Sequence, residues 1–226
     1  MNRFKVLALP CFAVCAVVGY FFVETLVLPQ YSFDDKGLLK ASFVILLSAF
    51  LGVIFWIRGT EFEKRAKSFR KMLVFASVVY GICLFAILFG SVDITRKNAG
   101  IQSYSLVPFR TISGYLRASQ NGTVSRSVVW ENLIGNLLLF CPVGFIAPFL
   151  FVFLQEKKWF CICMITMLCG VEFLQFVTSR GSMDIDDVIL NFVGAAFVYL
   201  FAWNERMINV WYDIGVIEDD VTFLNS

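Results

Sequence analysis

Six stretches of this sequence are apolar over 16 to 23 residues each, and this pattern constrains the fold more than any other feature. A helix needs ~20 residues to cross ~30 Å of hydrocarbon at ~1.5 Å per residue. Five runs reach that length, and the sixth reaches it when it begins at Asp184. The runs are continuous and lack the two-residue alternation of barrel strands, which favours helices. The runs are Val6–Leu28, Leu38–Ile57, Met72–Val92, Leu133–Leu154, Trp159–Thr178 and Val188–Trp203.

Composition excludes most other classes of protein. The chain has 226 residues, of which 59% are hydrophobic and 16% charged, whereas soluble domains have ~45–50% and ~25%. A soluble globule of this size lacks the interior to bury so much apolar surface. The sequence contains no His, so no mechanism can use a histidine base or metal ligand. A net charge of +2 argues against a nucleic-acid partner. The sequence therefore predicts an all-α, polytopic transmembrane bundle of about six spans.

The distribution of Lys and Arg predicts the orientation of the bundle. With the N-terminus inside and six crossings, the inner segments hold 11 of these residues and the outer segments 8. Five of the outer residues lie in one long loop, and long loops count little in the positive-inside rule. The short segments alone favour an inside N-terminus by 11 to 3. The basic segment 58–71 is then cytoplasmic.

The long outer loop, residues 93–131, lies between the third and fourth spans and is unusually apolar. Aromatic and aliphatic residues interrupt its polar residues, so we expect it to lie on the membrane surface or to dip back among the helices. Two interpretations stay open: an amphipathic segment at the interface, or a lid over a site in the outer leaflet. Arg110 belongs to this loop, close to Pro108.

Polar side chains recur at helical spacing in the last three spans, near the predicted outer face. Side chains four residues apart share a helix face, and carboxylates facing lipid are costly. We therefore expect these groups to converge on a recess open to the cell exterior, with Arg180 between the carboxylates and Arg110 as a second counter-charge. The candidate ligand-binding residues are Arg110, Asn132, Asn136, Glu172, Gln175, Arg180, Asp184, Asp186, Asp187 and Asn191.

A structural role is the alternative for this cluster. Asp184 or Asp186 can cap the sixth helix, where free N–H groups favour an anion. The other side chains can form a paired network between helices. In the fourth span, Pro142 predicts a kink that leaves the carbonyl near Leu138 free, and Gly194 with the following two alanines predicts close helix packing.

Several of these motifs resemble the VanZ-like family of bacterial membrane proteins. The likeness covers residues 104–203. Its most specific motif is Asp-Ile-Asp-Asp at residues 184–187, followed by Asn191 and Gly194. One position departs from the family pattern: the loop motif more often begins with Asn where this chain has Ser105. The segments that carry the likeness are 105–109, 132–136, 142–145, 172–175 and 180–194. The resemblance implies a multi-pass protein of the bacterial cytoplasmic membrane, associated with resistance to teicoplanin-type lipoglycopeptides.

Two functional hypotheses follow. In the first, a non-catalytic envelope protein uses the recess to bind membrane lipids, a lipid-linked cell-wall precursor or a lipoglycopeptide. Arginines would then meet phosphate, and we expect no resident metal or cofactor. In the second, a membrane enzyme acts on a lipid-linked substrate, with Asp186 or Asp187 as base or metal ligand and Glu172 as partner. Oxygen ligands would suit Mg²⁺ or Mn²⁺.

The predicted organisation has three parts. Residues 1–92 form an N-terminal part with three spans, residues 93–203 form the family-like domain of the loop and three spans, and residues 204–226 form an acidic cytoplasmic tail. Apolar residues around Trp211 predict one or two helical turns at the interface in this tail.

Overall fold

The computed structural model describes residues 2–27, 35–89, 104–178 and 181–217, and these residues are almost entirely helical. The only strands among them are two-residue strands, so the predicted all-α class is confirmed. The helices are α1 (Arg3–Val27), α2 (Asp35–Arg58), α3 (Phe62–Phe89), α4 (Arg110–Gln120), α5 (Arg126–Leu139), α6 (Cys141–Leu150), α7 (Lys157–Val177), α8 (Ile185–Ala202) and α9 (Glu205–Asp213). The strands are β1 (Tyr104–Ser105) and β2 (Met183–Asp184), and a short 3-10 helix covers Val152–Gln155.

Five helical segments are long and apolar enough to cross a membrane. These segments are Arg3–Phe21, Phe62–Phe89, Arg126–Leu150, Lys157–Val177 and Ile185–Ala202. The predicted run Leu38–Ile57 falls within α2, where a shorter apolar stretch covers Leu47–Arg58. A bundle with several spans is thus confirmed, and the second of the six spans stays a prediction.

The chain divides into two compact units. The first comprises residues 1–72 and 214–218, and within it α1 packs along α2. A Cβ atom on Gly52 would lie 2.7 Å from the Phe12 ring, so the missing side chain permits this close packing. Trp56 Nε1 donates a hydrogen bond to Ser68 Oγ at 2.8 Å, which ties the end of α2 to the start of α3.

The second unit comprises the described residues between 73 and 213, and α8 is its central helix, packed against α5, α6 and α7. Two glycines allow backbone contact at these crossings. A Cβ atom on Gly194 would lie 1.7 Å from the Leu137 carbonyl oxygen, and one on Gly144 would lie 2.1 Å from that of Ala195. The close packing predicted from the small residues of α8 is confirmed.

The fourth apolar run is broken into two helices at Phe140. Pro142 stands at the first turn of α6, where its missing N–H costs nothing. The break leaves the Leu139 carbonyl without a helical partner, and the Tyr80 hydroxyl donates to it at 2.5 Å. The predicted kink is confirmed, and the residue that satisfies the freed carbonyl comes from α3.

Helix α9 covers the end of α6 with aromatic rings. Trp211 lies 6.0 Å from the Phe145 ring and 5.6 Å from the Phe149 ring. Its Nε1 donates to the Ala202 carbonyl at 2.8 Å. The one or two turns predicted here form a helix of nine residues, and its Trp packs on the protein.

The described part of the predicted outer loop has regular secondary structure. Residues 90–103 lie outside the described part of the chain, whereas residues 104–120 form β1, a turn and α4. Strand β1 pairs in parallel with β2, with Tyr104 opposite Met183 and Ser105 opposite Asp184. Helix α5 begins at Arg126, seven residues before the apolar run, so the loop ends earlier than predicted. This pairing brings α4 to the N-terminus of α8.

Candidate functional site

Asp184 joins three segments at the start of α8. Its Oδ1 accepts the Asp186 backbone N–H at 2.9 Å, which caps the helix. Its Oδ2 accepts the Thr111 hydroxyl at 2.5 Å. The sequence predicted a cap from Asp184 or Asp186, and the structure assigns it to Asp184.

Asp186 holds the turn that precedes α4. Its Oδ1 accepts the Phe109 N–H at 2.5 Å, and its Oδ2 accepts those of Thr111 at 2.8 Å and Ile112 at 3.0 Å. Phe109 has a left-handed backbone (φ 63°) and provides no side-chain cap for α4. Asp186, which is 1% exposed, therefore caps α4 from another part of the chain and favours the positive end of its dipole.

Glu172 supports this arrangement from α7. One oxygen of its buried carboxylate accepts the Asp184 backbone N–H at 2.9 Å. The bond fixes the strand β2 against the C-terminal half of α7. Glu172 is only 6% exposed, so its function in the described structure is to position the turn into α8.

Asp187 faces a different direction from its two neighbours. The Asn136 side-chain amide donates to its Oδ1. The Asn191 amide donates to the Asp187 backbone carbonyl at 2.8 Å. Within the described residues, Asp187 Oδ2 has no hydrogen-bond partner, and this atom is not among the buried unpaired ones. One carboxylate oxygen thus stays accessible.

A recess of about 260 Å³ lies between the middle of α5, the C-terminal end of α7, the start of α8 and one face of α4. Its lining combines carboxylate, amide and hydroxyl groups with two leucines, an isoleucine and a glycine. The lining residues are Thr111, Ile112, Tyr115, Asn132, Leu133, Asn136, Gln175, Gly181, Ser182, Asp184, Asp186, Asp187 and Leu190.

Two further amides of the lining are fixed by carbonyl groups. Asn132 donates through Nδ2 to the Val128 carbonyl at 2.7 Å, and Gln175 donates through Nε2 to the Leu88 carbonyl at 3.2 Å. A carbonyl oxygen only accepts hydrogen bonds, so each amide must present its nitrogen to it. The amide oxygens are then the atoms left without a partner in the described structure.

The structure brings together most of the ten predicted residues. Six line the recess, and two, Glu172 and Asn191, are buried behind it. Arg110 is exposed and does not line the recess. Arg180 lies outside the described residues. The lining members of the predicted set are Asn132, Asn136, Gln175, Asp184, Asp186 and Asp187.

Sequence reasoning missed the contribution of α4 to this recess. Thr111, Ile112 and Tyr115 form one wall, although the loop was predicted only as an interface segment or a lid. The available signal was the spacing after Pro108, since Tyr115 follows Thr111 by four residues and Ile112 by three, which places it beside both on the helix surface. Ser182 was missed because it stands in a short turn without helical spacing.

The described residues contain no group of three or more His, Cys, Asp or Glu side chains arranged to hold a metal ion. The oxygens of Asp184 and Asp186 are engaged by N–H and O–H donors from the protein. These two residues therefore stabilise the walls, whereas Asp187 can meet a ligand. The chemistry that the recess offers is hydrogen bonding and charge pairing through Asp187.

This fold and site define a class of protein, a polytopic α-helical membrane protein with a polar recess at one end of its last helices. The VanZ/LLP1 family model matches residues 72–209, which is more than half of the chain, and the protein belongs to this family. The resemblance inferred from the motifs of residues 104–203 is confirmed. The matched range contains every residue that lines the recess. Comparison with curated proteins and with solved structures gives no match.

Proposed function

We propose that this protein is a non-catalytic protein of the bacterial cytoplasmic membrane. Its recess would lie in the outer leaflet and bind the polar head of an amphipathic envelope molecule, either a membrane lipid or a lipid-linked cell-wall precursor. Binding of that molecule, or of a lipoglycopeptide itself, would modulate susceptibility to teicoplanin-type drugs. The observation that carries this proposal is the accessible Asp187 carboxylate at the wall of a recess of about 260 Å³.

The distribution of hydrogen bonds supports binding over catalysis. The enzyme hypothesis needs Asp186 or Asp187 as base or metal ligand and Glu172 as partner. Asp186 accepts three backbone N–H groups, and Glu172 accepts one from Asp184. Asp186, whose two oxygens are both engaged, would have to release donors before it could act as base or metal ligand, and Glu172 could take a proton or a metal ion only through its second oxygen. Binding through Asp187 requires no such rearrangement.

The position of the recess supports a ligand from the membrane. It lies at the ends of helices that are long and apolar enough to span a bilayer, so a headgroup can reach it while acyl chains stay in hydrocarbon. The charge distribution of the sequence favours the outer side for this end. A volume of about 260 Å³ suits a headgroup or one sugar and is below the usual range for drug-sized ligands.

The test is drug susceptibility of a deletion strain that carries the wild-type chain or a variant. Asp187→Asn removes the charge but keeps the size, so we expect full membrane abundance and the susceptibility of the deletion strain. Glu156→Gln makes the same charge change at the other end of α7, where the side chain is exposed and caps nothing. This control should behave as wild type.

Two results would contradict the proposal. Wild-type susceptibility in the Asp187→Asn strain would show that the recess has no part in drug susceptibility. Equal loss in both variants would attribute the effect to charge at the membrane surface and not to the recess.

A further inference from the structure

Each amide side chain that lines the recess uses its nitrogen atom to donate a hydrogen bond to another group of the protein. Asn136 donates to the Asp187 carboxylate, Asn132 to the Val128 carbonyl and Gln175 to the Leu88 carbonyl. None of these three acceptors can donate, so the amide orientation is dictated by chemistry and not by choice of assignment.

The atoms that remain without a partner therefore include several acceptors. Among the described lining residues they include the side-chain oxygens of Asn132, Asn136 and Gln175 and the Oδ2 atom of Asp187, which only accept. The hydroxyls of Tyr115 and Ser182, which accept as well as donate, and the second N–H of each amide also have no partner there. Among the described residues, no hydrogen bond is made by any of these four oxygens, and none of them is among the buried unpaired atoms. These four oxygens can accept hydrogen bonds from a group that is rich in N–H or O–H.

The charge of the lining points in the same direction. Three aspartates face or border the recess, and the lining residues that the structure describes are all acidic or neutral. The positive end of α8 is already met by the Asp184 cap, and that of α4 by Asp186. No Lys or Arg of the described residues forms an ion pair with Asp187, and its negative charge attracts a cation and repels a phosphate.

We propose that the recess recognises a primary ammonium group, with Asp187 as its counter-charge and the three amide oxygens as acceptors for its remaining hydrogens. This inference rests on the proposed function, because it names the chemical class of the headgroup bound at the same site. The ammonium group can come from an aminophospholipid or from an amino sugar of a lipid-linked precursor. Each offers three N–H donors on a compact tetrahedral nitrogen.

The expected discrimination is against the methylated nitrogen. Phosphatidylethanolamine and phosphatidylcholine carry the same phosphate and the same positive charge, but the second has no N–H donor. Losing hydrogen bonds to a carboxylate and to amide oxygens should weaken binding about tenfold or more. Phosphatidylglycerol, which has a phosphate and no amine, should bind more weakly still.

The experiment uses the full-length protein in detergent micelles and short-chain forms of these three lipids, with dissociation constants measured by native mass spectrometry. Glucosamine and N-acetylglucosamine form a second arm, because acetylation removes the ammonium group from the same sugar. Preference for phosphatidylethanolamine alone would identify an aminophospholipid, and preference for glucosamine alone would identify an amino sugar. Binding should be unchanged by EDTA.

Asp187→Asn should reduce the preference for the ammonium ligand about tenfold or more, while Glu156→Gln should retain it. Both variants are first checked for a single monodisperse peak in gel filtration.

Three results would overturn this inference: equal binding of the ethanolamine and choline lipids, tighter binding of phosphatidylglycerol, or Mg²⁺ binding that depends on Asp187 and needs no lipid. These failures are distinguishable from failure of the proposed function. If Asp187→Asn changes drug susceptibility but no ammonium preference exists, the site is functional and its ligand class is wrong. If the preference exists without a susceptibility effect, the proposed function is wrong.

Discussion

At the scale of single residues, three aspartates within four positions serve different purposes. Asp184 and Asp186 bind groups of the protein, whereas Asp187 keeps one oxygen accessible to the recess. The difference arises from the start of α8. Residues 184 and 186 stand at the cap and first turn, where the β1 segment and α4 are within reach, and residue 187 points toward α5.

This division predicts opposite effects of two similar substitutions. Asp186→Asn replaces one carboxylate oxygen by an NH2 group, which accepts no hydrogen bond. Either the bonds from the Thr111 and Ile112 N–H groups are lost, or the bond from Phe109 is lost. We expect a loss of about 2–3 kcal/mol in the free energy of unfolding, measured by thermal unfolding in detergent, with faster proteolysis near residues 104–112.

Asp187→Asn is the matched control for this prediction. Its side chain contacts Asn136 and the recess, so its effect on the unfolding midpoint should be small. Equal destabilisation by the two variants would show that Asp187 also stabilises the fold. The distinction between the roles of Asp186 and Asp187 would then be wrong.

The sequence contains part of this residue-level result. Helical spacing was enough to predict that Asn132 and Asn136 share a face and that an aspartate caps the last long helix. It could not tell Asp186 from Asp187, because their roles depend on backbone N–H groups of Thr111 and its neighbours. Those contacts join positions 74 to 77 residues apart, and no local pattern records them.

At the scale of secondary structure elements, glycines determine how closely α8 approaches its neighbours. Helix packing inside a bilayer gains little from the hydrophobic effect, so small residues that admit close backbone contact are favoured. Gly194 meets the backbone of α5, and Gly144 meets that of α8. Such contacts were predicted from the Gly-Ala-Ala sequence, but the sequence could not identify the helix that packs there.

Gly194→Ala should separate α8 from α5, since the added Cβ would lie 1.7 Å from the Leu137 carbonyl oxygen. Overpacking of this kind costs about 1–3 kcal/mol, and the walls of the recess should shift with it. The measurement is the thermal midpoint together with ammonium-lipid binding.

Gly170→Ala is the control, because a Cβ atom there meets nothing within 4 Å. Alanine's higher helix propensity should leave α7 unchanged or stabilise it by up to about 1 kcal/mol. If Gly194→Ala is as stable as Gly170→Ala, the close α5–α8 contact is not part of the native packing.

The break between α5 and α6 depends on a hydroxyl from α3. Tyr80→Phe leaves the Leu139 carbonyl without its donor, and we expect a loss of about 1 kcal/mol, a usual value for hydrogen bonds between helices in membranes. Tyr20→Phe, at a side chain that is 65% exposed, should have no effect on the same unfolding measurement. A Tyr80→Phe variant of unchanged stability would show that the carbonyl accepts a hydrogen bond from water or another donor.

Pro142 predicted this break, but Tyr80 could not be assigned as its partner from a run that is otherwise apolar.

At the scale of the whole molecule, the apolar runs were enough to predict a membrane bundle, and motifs in the last three spans were enough to predict the family. The docking of α4 against the start of α8 was beyond the sequence. It depends on the short parallel pairing of Tyr104–Ser105 with Met183–Asp184, whose strands are too brief to carry a recognisable alternation. The recess exists because this pairing closes its fourth side.

The orientation of the bundle is the assumption on which the proposed function rests most heavily. Charge counts place the basic segment 58–71 in the cytoplasm, and the recess then opens to the exterior. The most direct measurement is labelling of Ser182→Cys, at the recess, and of Lys67→Cys, in the basic segment, by a maleimide that cannot cross membranes. The unsubstituted protein provides the background from its seven cysteines. We predict that Ser182→Cys is labelled in intact cells and that Lys67→Cys is labelled only after permeabilisation. Labelling of Lys67→Cys in intact cells, with Ser182→Cys protected until permeabilisation, would place the recess in the cytoplasm and contradict the account.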